Sequence, residues 1–107
     1  MSAYHVELAT AAQADIENIY QHYIARASDL VANKLLDEID FAITSLSSEP
    51  LLEHLPLELN ASEKECLEIL TKSFRIIYRI LEKNIEILLI LHQKQSVKKA
   101  LNNRLLH

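Results

Sequence analysis

Arginine and histidine late in the chain hold the most chemical reach. Arg75 and Arg79 sit in the run Phe74 to Leu81, and His92 closes the run that begins at Ile85. A guanidinium presents a planar fork of donors that suits oxyanions, and an imidazole changes protonation near neutral pH and so can move a proton. Whether the two meet depends on strand parity, because successive side chains of a strand point to opposite faces. In the first run the even positions Phe74, Ile76, Tyr78 and Ile80 are apolar or aromatic, and the odd positions include both arginines. In the second the odd positions Ile85, Ile87, Leu89 and Leu91 are apolar, leaving Glu86 and His92 on the other face. A hairpin closed through Lys83-Asn84 pairs Ile80 with Ile87, Tyr78 with Leu89 and Ile76 with Leu91. The same register sets Arg75 opposite His92, about 5 Å apart at Cβ. A slip of one residue buries the charges, so the pattern predicts its own register. One face is then core, and the other carries an arginine–histidine pair.

Other chemistries find less support. His5, His22, His54, His92 and His107 have no spacing that gathers metal ligands on one face, and Cys66 is the only cysteine, so no metal is expected. No serine stands in a nucleophile-elbow context. Glycine is absent altogether, which removes phosphate-cradling loops and dinucleotide fingerprints, and no cofactor is expected. Turns must then use Asn, Asp, Ser and Pro, of which Asn best tolerates a left-handed conformation. Cys66 reads as a buried, inert thiol, and a lone cysteine fits a reducing cytoplasm.

Size and composition predict one soluble domain over residues 1–107, with half the residues hydrophobic and 24% charged. The longest apolar stretch, Ile87 to Leu91, is far too short to cross a bilayer, and no basic-then-apolar leader opens the chain. The net charge of −4 hides a division: residues 1–71 hold thirteen acids against three bases, and residues 72–107 hold eight bases against two acids. This asymmetry predicts either a basic surface aimed at an anionic partner or neutralisation of one part by the other across the fold.

The elements that must position the pair follow from periodicity. Residues 3–9 alternate as a strand, with Tyr4, Val6 and Leu8 on one face. Thr10 with Gln13 makes a capping-box pattern, and the helix it opens carries Ile16, Ile19, Tyr20, Tyr23 and Ile24 on one stripe before fading near Ala27. Tyr20 and Tyr23 therefore read as core, and Asp15 and Glu17 as acids favoured by the helix macrodipole. Ser28 or Asp29 caps a second helix with the stripe Leu35, Leu36, Ile39, Ala42, Ile43 and Leu46, giving an antiparallel helical hairpin. From Ser47 to Glu65 the period breaks around Pro50 and Pro56, but five leucines predict a loop that packs on the body. Glu65 to Thr71 reads as a strand, and Ser96 caps a closing helix with Lys98, Lys99 and Arg104 off its apolar line. The fold class expected is α+β: an N-terminal strand, a helical hairpin on one face of a mainly antiparallel four-stranded sheet, and a short C-terminal helix.

The chain resembles the RelE/ParE superfamily of small bacterial toxins, which includes plasmid stabilisation proteins. The matching pieces are Tyr4-His-Val-Glu-Leu, Ala11-Ala-Gln-Ala-Asp-Ile-Glu-Asn-Ile-Tyr20, Ile43-Thr-Ser-Leu-Ser-Ser-Glu-Pro50, Phe74-Arg-Ile-Ile-Tyr78 and Ile85-Glu-Ile-Leu-Leu-Ile-Leu-His92. They span nearly the whole chain in the family's order. The resemblance implies a first strand beside the last, and a toxin silenced by an antitoxin that covers its sheet and helical grooves. It also implies one of two activities: metal-independent, ribosome-dependent cleavage of messenger RNA, as in RelE-like members, or inhibition of DNA gyrase, as in ParE-like members.

Under the RelE-like alternative, Arg75 matches the arginine of the catalytic strand. It would stabilise the pentavalent phosphate, with His92 as general acid or base and Lys72 and Lys94 on neighbouring phosphates. Gln93-Lys94-Gln95 stands where RelE-like enzymes carry further arginines, no tyrosine follows His92, and the first two-thirds of the chain is acidic. The leucine-rich strand ending in His92 looks more like ParE. The expectation is therefore a ParE-like toxin that binds gyrase and its cognate antitoxin. Arg75, Arg79, His92, Lys94, Lys98 and Lys99 are its candidate binding residues, and Arg75 and Arg79 also find possible ion-pair partners in Glu68, Glu82 and Glu86. A non-toxic relic that binds only its antitoxin is the remaining alternative.

Overall fold

The computed structural model describes residues 4–48, 66–93 and 99–100. Strand β1, His5–Leu8, exposes His5 and Glu7 and packs Val6 and Leu8 on the core. Helix α1 spans Thr10–Arg26 and has Ala9, not Thr10, as its N-cap. The sheet decides this: the Ala9 amide donates to the Ile87 carbonyl at 2.9 Å, and the Ala9 carbonyl accepts the Gln13 amide at 3.0 Å. Ladder and helix thus meet at Ala9, and no threonine cap forms. The Gln13 side chain does reach back, but it donates to the Leu8 carbonyl at 3.2 Å.

Helix α1 ends at Ala27, as its sequence predicts. Helix α2, Asp29–Leu46, opens where Ser28 Oγ accepts the Val31 amide at 3.1 Å, a cap that contributes about 1 kcal/mol. The helices bury Ala12, Ile19, Ile39, Ala42 and Leu46 against the sheet, with Ile16, Tyr23, Leu35 and Ile43 half-buried beside them.

Three further strands follow: β2, Cys66–Leu70; β3, Phe74–Leu81; and β4, Asn84–His92. The sheet order is β1-β4-β3-β2. β1 runs parallel to β4, whereas β2–β3 and β3–β4 are antiparallel, so the sheet is mixed and the first strand does lie beside the last. The leucine-rich stretch falls outside the described residues from 49 to 65. So does the closing helix expected from Ser96, apart from Lys99 and Ala100, which are helical.

The β3–β4 register corrects the sequence expectation twice. The turn is Glu82-Lys83, with Leu81 opposite Asn84, so Ile80 faces Ile85, Arg79 faces Glu86 and Tyr78 faces Ile87. Glu82, not an asparagine, takes the left-handed conformation, at φ 58°. This two-residue displacement from the expected pairing leaves every face unchanged, because side-chain direction repeats every two residues. The second departure does not. Between Ile77 and Tyr78 the register shifts, so Leu88 is extra, and beyond it Ile77 faces Leu89, Ile76 faces Ile90, Arg75 faces Leu91 and Phe74 faces His92. A bulge of one residue reverses the sides of everything after it. Ile85, Ile87 and Ile90 therefore lie with Phe74, Ile76 and Tyr78 under the helices, while Leu89 and Leu91 join Ile77 in a second cluster.

Candidate functional site

Parity places Arg75 and Arg79 on the sheet face away from the helices, since Phe74, Ile76 and Tyr78 pack with the helices. Glu68 and Cys66 project to the same side from β2, because Leu67 and Ile69 pack with the helix-side core. Arg75 Nε donates to Glu68 Oε2, and only 16% and 12% of the two side chains are exposed. Arg79 Nε donates to Glu86 Oε1 at 2.8 Å, directly across the β3–β4 pair, in a more open setting. Both arginines are neutralised within the fold, Arg75 by Glu68 from the acidic part of the chain and Arg79 by Glu86, one of the two acids of the basic part. Nor is this face open along its length: Ile77, Leu89 and Leu91 are buried there, with Cys66, Leu88 and Ala100 packed against them. Cys66 is half-buried rather than enclosed.

His92 is not part of that face. Its ring lies 5.4 Å from Phe74 and 6.1 Å from Tyr23 between centroids, and Tyr23 meets His22 edge-on at 4.9 Å. The expected Arg75–His92 pairing is thus corrected: the bulge puts the two residues on opposite sides of the sheet. Tyr23 packs on the core, as expected, and also borders this exposed aromatic corner. Lys72 lies exposed in the β2–β3 turn, and Lys99 is exposed on its helical turn; Lys94 and Lys98 lie outside the described residues. Among the described residues no three His, Cys, Asp or Glu side chains gather to hold a metal ion, and no helix is long and apolar enough to cross a membrane.

Two features escaped the periodicity. The first is a groove of about 360 Å³ between α2 and edge strand β2, lined by Glu38, Phe41, Ala42, Ile69, Leu70 and Lys72 among others. Phe41 is 79% exposed and Leu70 56%, which leaves large apolar surface at its rim. Glu38 holds the groove's shape by clamping the turn after β2: its carboxylate accepts the Ser73 amide at 2.7 Å, Ser73 Oγ at 3.1 Å and the Thr71 hydroxyl. The signal available in the sequence was a phenylalanine off the apolar stripe of α2. The second feature is Asp15 on α1, whose Oδ2 accepts the Ile90 amide of β4 at 2.9 Å. Its role is therefore more than an acid near a helix start.

The sequence model of the family described as "ParE toxin of type II toxin-antitoxin system, parDE" matches residues 6–97. No curated protein matches the sequence. Among solved structures, the fold is similar to a chain of the chromosomal ParDE TA system from P. aeruginosa, with TM-score 0.71 and 22% identity over 84% of this chain and 96% of that one. A chain of the toxin–antitoxin complex RelBE2 from Mycobacterium tuberculosis gives TM-score 0.59 and 22% identity over 85% and 99%. The isolated E. coli RelE toxin gives 0.55 and 14% over 98% and 100%. A helical hairpin on a four-stranded mixed sheet is the architecture these likenesses share with this chain, and the family match covers both helices, β2, β3, β4 and all of β1 but His5. The chain belongs to the ParE toxin family of type II toxin–antitoxin systems, within the RelE/ParE superfamily.

Proposed function

We propose that the chain is a single-domain cytoplasmic toxin that acts by binding a protein target, DNA gyrase, rather than by cutting RNA. The observation that supports this most is the separation of Arg75 from His92 by the β4 bulge, together with the engagement of both strand arginines by carboxylates. A phosphoryl-transfer centre needs a cation and a proton-transfer group converging on one phosphate. Here the cation already faces Glu68, and the imidazole lies on the other side, tilted against the Phe74 ring. Binding to the target then falls to other basic residues: Arg79, His92 and Lys99 are candidates, as are Lys94 and Lys98, which lie outside the described residues.

The cognate antitoxin is the second partner, and the α2–β2 groove supports its docking there. Exposed Phe41 and Leu70 flank an apolar cleft beside the edge strand, where an added segment would gain backbone pairing and side-chain burial together. Phe41→Glu should weaken antitoxin binding by at least about tenfold in titration calorimetry while leaving the fold intact, because the lost anchor lies outside the core. Unchanged affinity would move the antitoxin elsewhere.

Expressing the chain without its antitoxin, then assaying supercoiling by gyrase and messenger integrity in parallel, tests the central proposal. Loss of supercoiling with intact messenger is expected. Ribosome-dependent messenger cleavage, abolished by Arg75→Ala and His92→Ala, would overturn it in favour of the nuclease, and harmless expression would favour the antitoxin-binding relic.

A further inference from the structure

The α2–β2 groove carries a charge beside its apolar wall, and the fold sets the sign of that charge. Among the described residues that line it, two are charged: Glu38 on α2 and Lys72 in the β2–β3 turn. Three donors converge on the Glu38 carboxylate. The Ser73 amide at 2.7 Å and the Thr71 hydroxyl reach Oε2, and Ser73 Oγ reaches Oε1 at 3.1 Å. A half-buried carboxylate engaged in this way serves the turn it holds and has little left for an incoming chain. Lys72, by contrast, is exposed. Lys34, Asp37 and Asp40 are also exposed on α2, but they lie off the lining. Among the described residues, the charge that the groove itself offers a partner is therefore the Lys72 ammonium.

The turn that presents this lysine is held by two elements. Thr71 and Ser73 flank Lys72, and both are tied to Glu38 on α2. From the end of β4, the Gln93 amide donates to the Ser73 carbonyl at 3.3 Å, and the Gln93 side chain donates to the Thr71 carbonyl. The Thr71 hydroxyl also accepts the Phe74 amide at 2.9 Å, which anchors the turn to the start of β3. A backbone fixed before binding lowers the ordering cost that a partner must offset. Exposed Phe41 and Leu70 stand in the same lining, so an apolar anchor and a cation are offered together.

We infer that Lys72 selects what enters the groove: an acidic, apolar segment of the antitoxin. Its apolar side chain packs on Phe41 and Leu70, its Asp or Glu carboxylate meets the Lys72 ammonium, and Glu38 is the positioning residue that holds the lysine's turn. The inference rests on the docking of the antitoxin in this groove and adds the chemistry that the partner must bring. Charge complementarity is the reason: a cation at the border of an apolar cleft discriminates between partners more than it adds affinity. A basic or uncharged segment would strip water from the ammonium and return no opposite charge.

Calorimetric titration of the whole chain with its cognate antitoxin tests this. Lys72→Glu should weaken binding at least about tenfold, and replacing one acidic residue of the antitoxin by lysine, found by changing its acids in turn, should restore most of the loss. In a Glu38→Ala background, with folding checked by urea melts, the Lys72→Glu penalty should shrink below about threefold, because the lysine is no longer held in place. Glu38→Gln keeps one acceptor and should fall between the two. Asp37→Asn, one turn from Phe41 but off the lining, should change affinity less than about twofold. Equal effects at Asp37 and Lys72 would reduce the attraction to net charge and overturn selection by the lysine. A Lys72→Glu penalty undiminished by Glu38→Ala would overturn the positioning role. Unchanged affinity in Lys72→Glu, with binding still weakened by Phe41→Glu, would overturn this inference and leave the docking reading standing; unchanged affinity in Phe41→Glu would remove both. A dimer of the chain alone that Phe41→Glu dissociates would assign the groove to a second copy instead.

Discussion

The two faces of the sheet solve burial in different ways. Under the helices the strands contribute Phe74, Ile76, Tyr78, Ile85, Ile87 and Ile90, all buried and without charge among them. On the other face three buried aliphatics, Ile77, Leu89 and Leu91, share the surface with two arginine–carboxylate pairs. The first face gains stability from hydrocarbon removed from water; the second must keep each guanidinium matched, because a charge enclosed without its partner is costly. The difference teaches where substitutions hurt and why. Shape matters under the helices, and pairing matters on the far side.

Truncation on the helix face should have the largest effect. Phe74→Ala leaves a cavity in the helix-side core and should cost about 3–5 kcal/mol, enough to consume much of a small domain's stability. Urea melts of the two proteins would read this directly, and a loss below about 1 kcal/mol would show that the helix face is not the principal core. Next comes Glu68→Gln, which removes the carboxylate charge facing Arg75 where little solvent reaches the pair, and should cost about 3 kcal/mol. Adding Arg75→Leu to Glu68→Met should recover most of that loss, since an apolar pair of similar volume replaces the ion pair. Failure of the double variant to recover would mean the pair does more than balance charge. Smallest is Glu86→Gln: the Arg79–Glu86 pair is more than a third exposed, so the change should stay under about 1 kcal/mol. Equal costs at Glu68 and Glu86 would erase the contrast between an enclosed pair and a solvated one.

Particular elements show how much could be foreseen. Ser28 was legible as a cap because its hydroxyl serves its own helix, a bond spanning three residues. Capping of α1 was not, since the Ala9 amide is claimed by Ile87, a residue distant in sequence. The hairpin strands were legible from alternation, but alternation repeats every two residues and so could not distinguish a turn at Lys83-Asn84 from one at Glu82-Lys83. Of the candidate site, the arginine side of the sheet was foreseen, and of the three acids offered as partners, Glu68, Glu82 and Glu86, the first and last hold the arginines. His92 was placed wrongly, because the run of five apolar residues from Ile87 to Leu91 carries no period that could announce the bulge.

What the residues determined alone is local: two helices with apolar stripes, strands with one hydrocarbon side, and a basic last third that follows an acidic body. Tertiary structure decided the phase of β4, the groove beside β2 and the fate of each charge. The physical reason is the range of the interactions involved. Propensity, caps and periodicity act within a few residues. An amide of β4 and the carboxylate on α1 that receives it meet only once distant segments have come together.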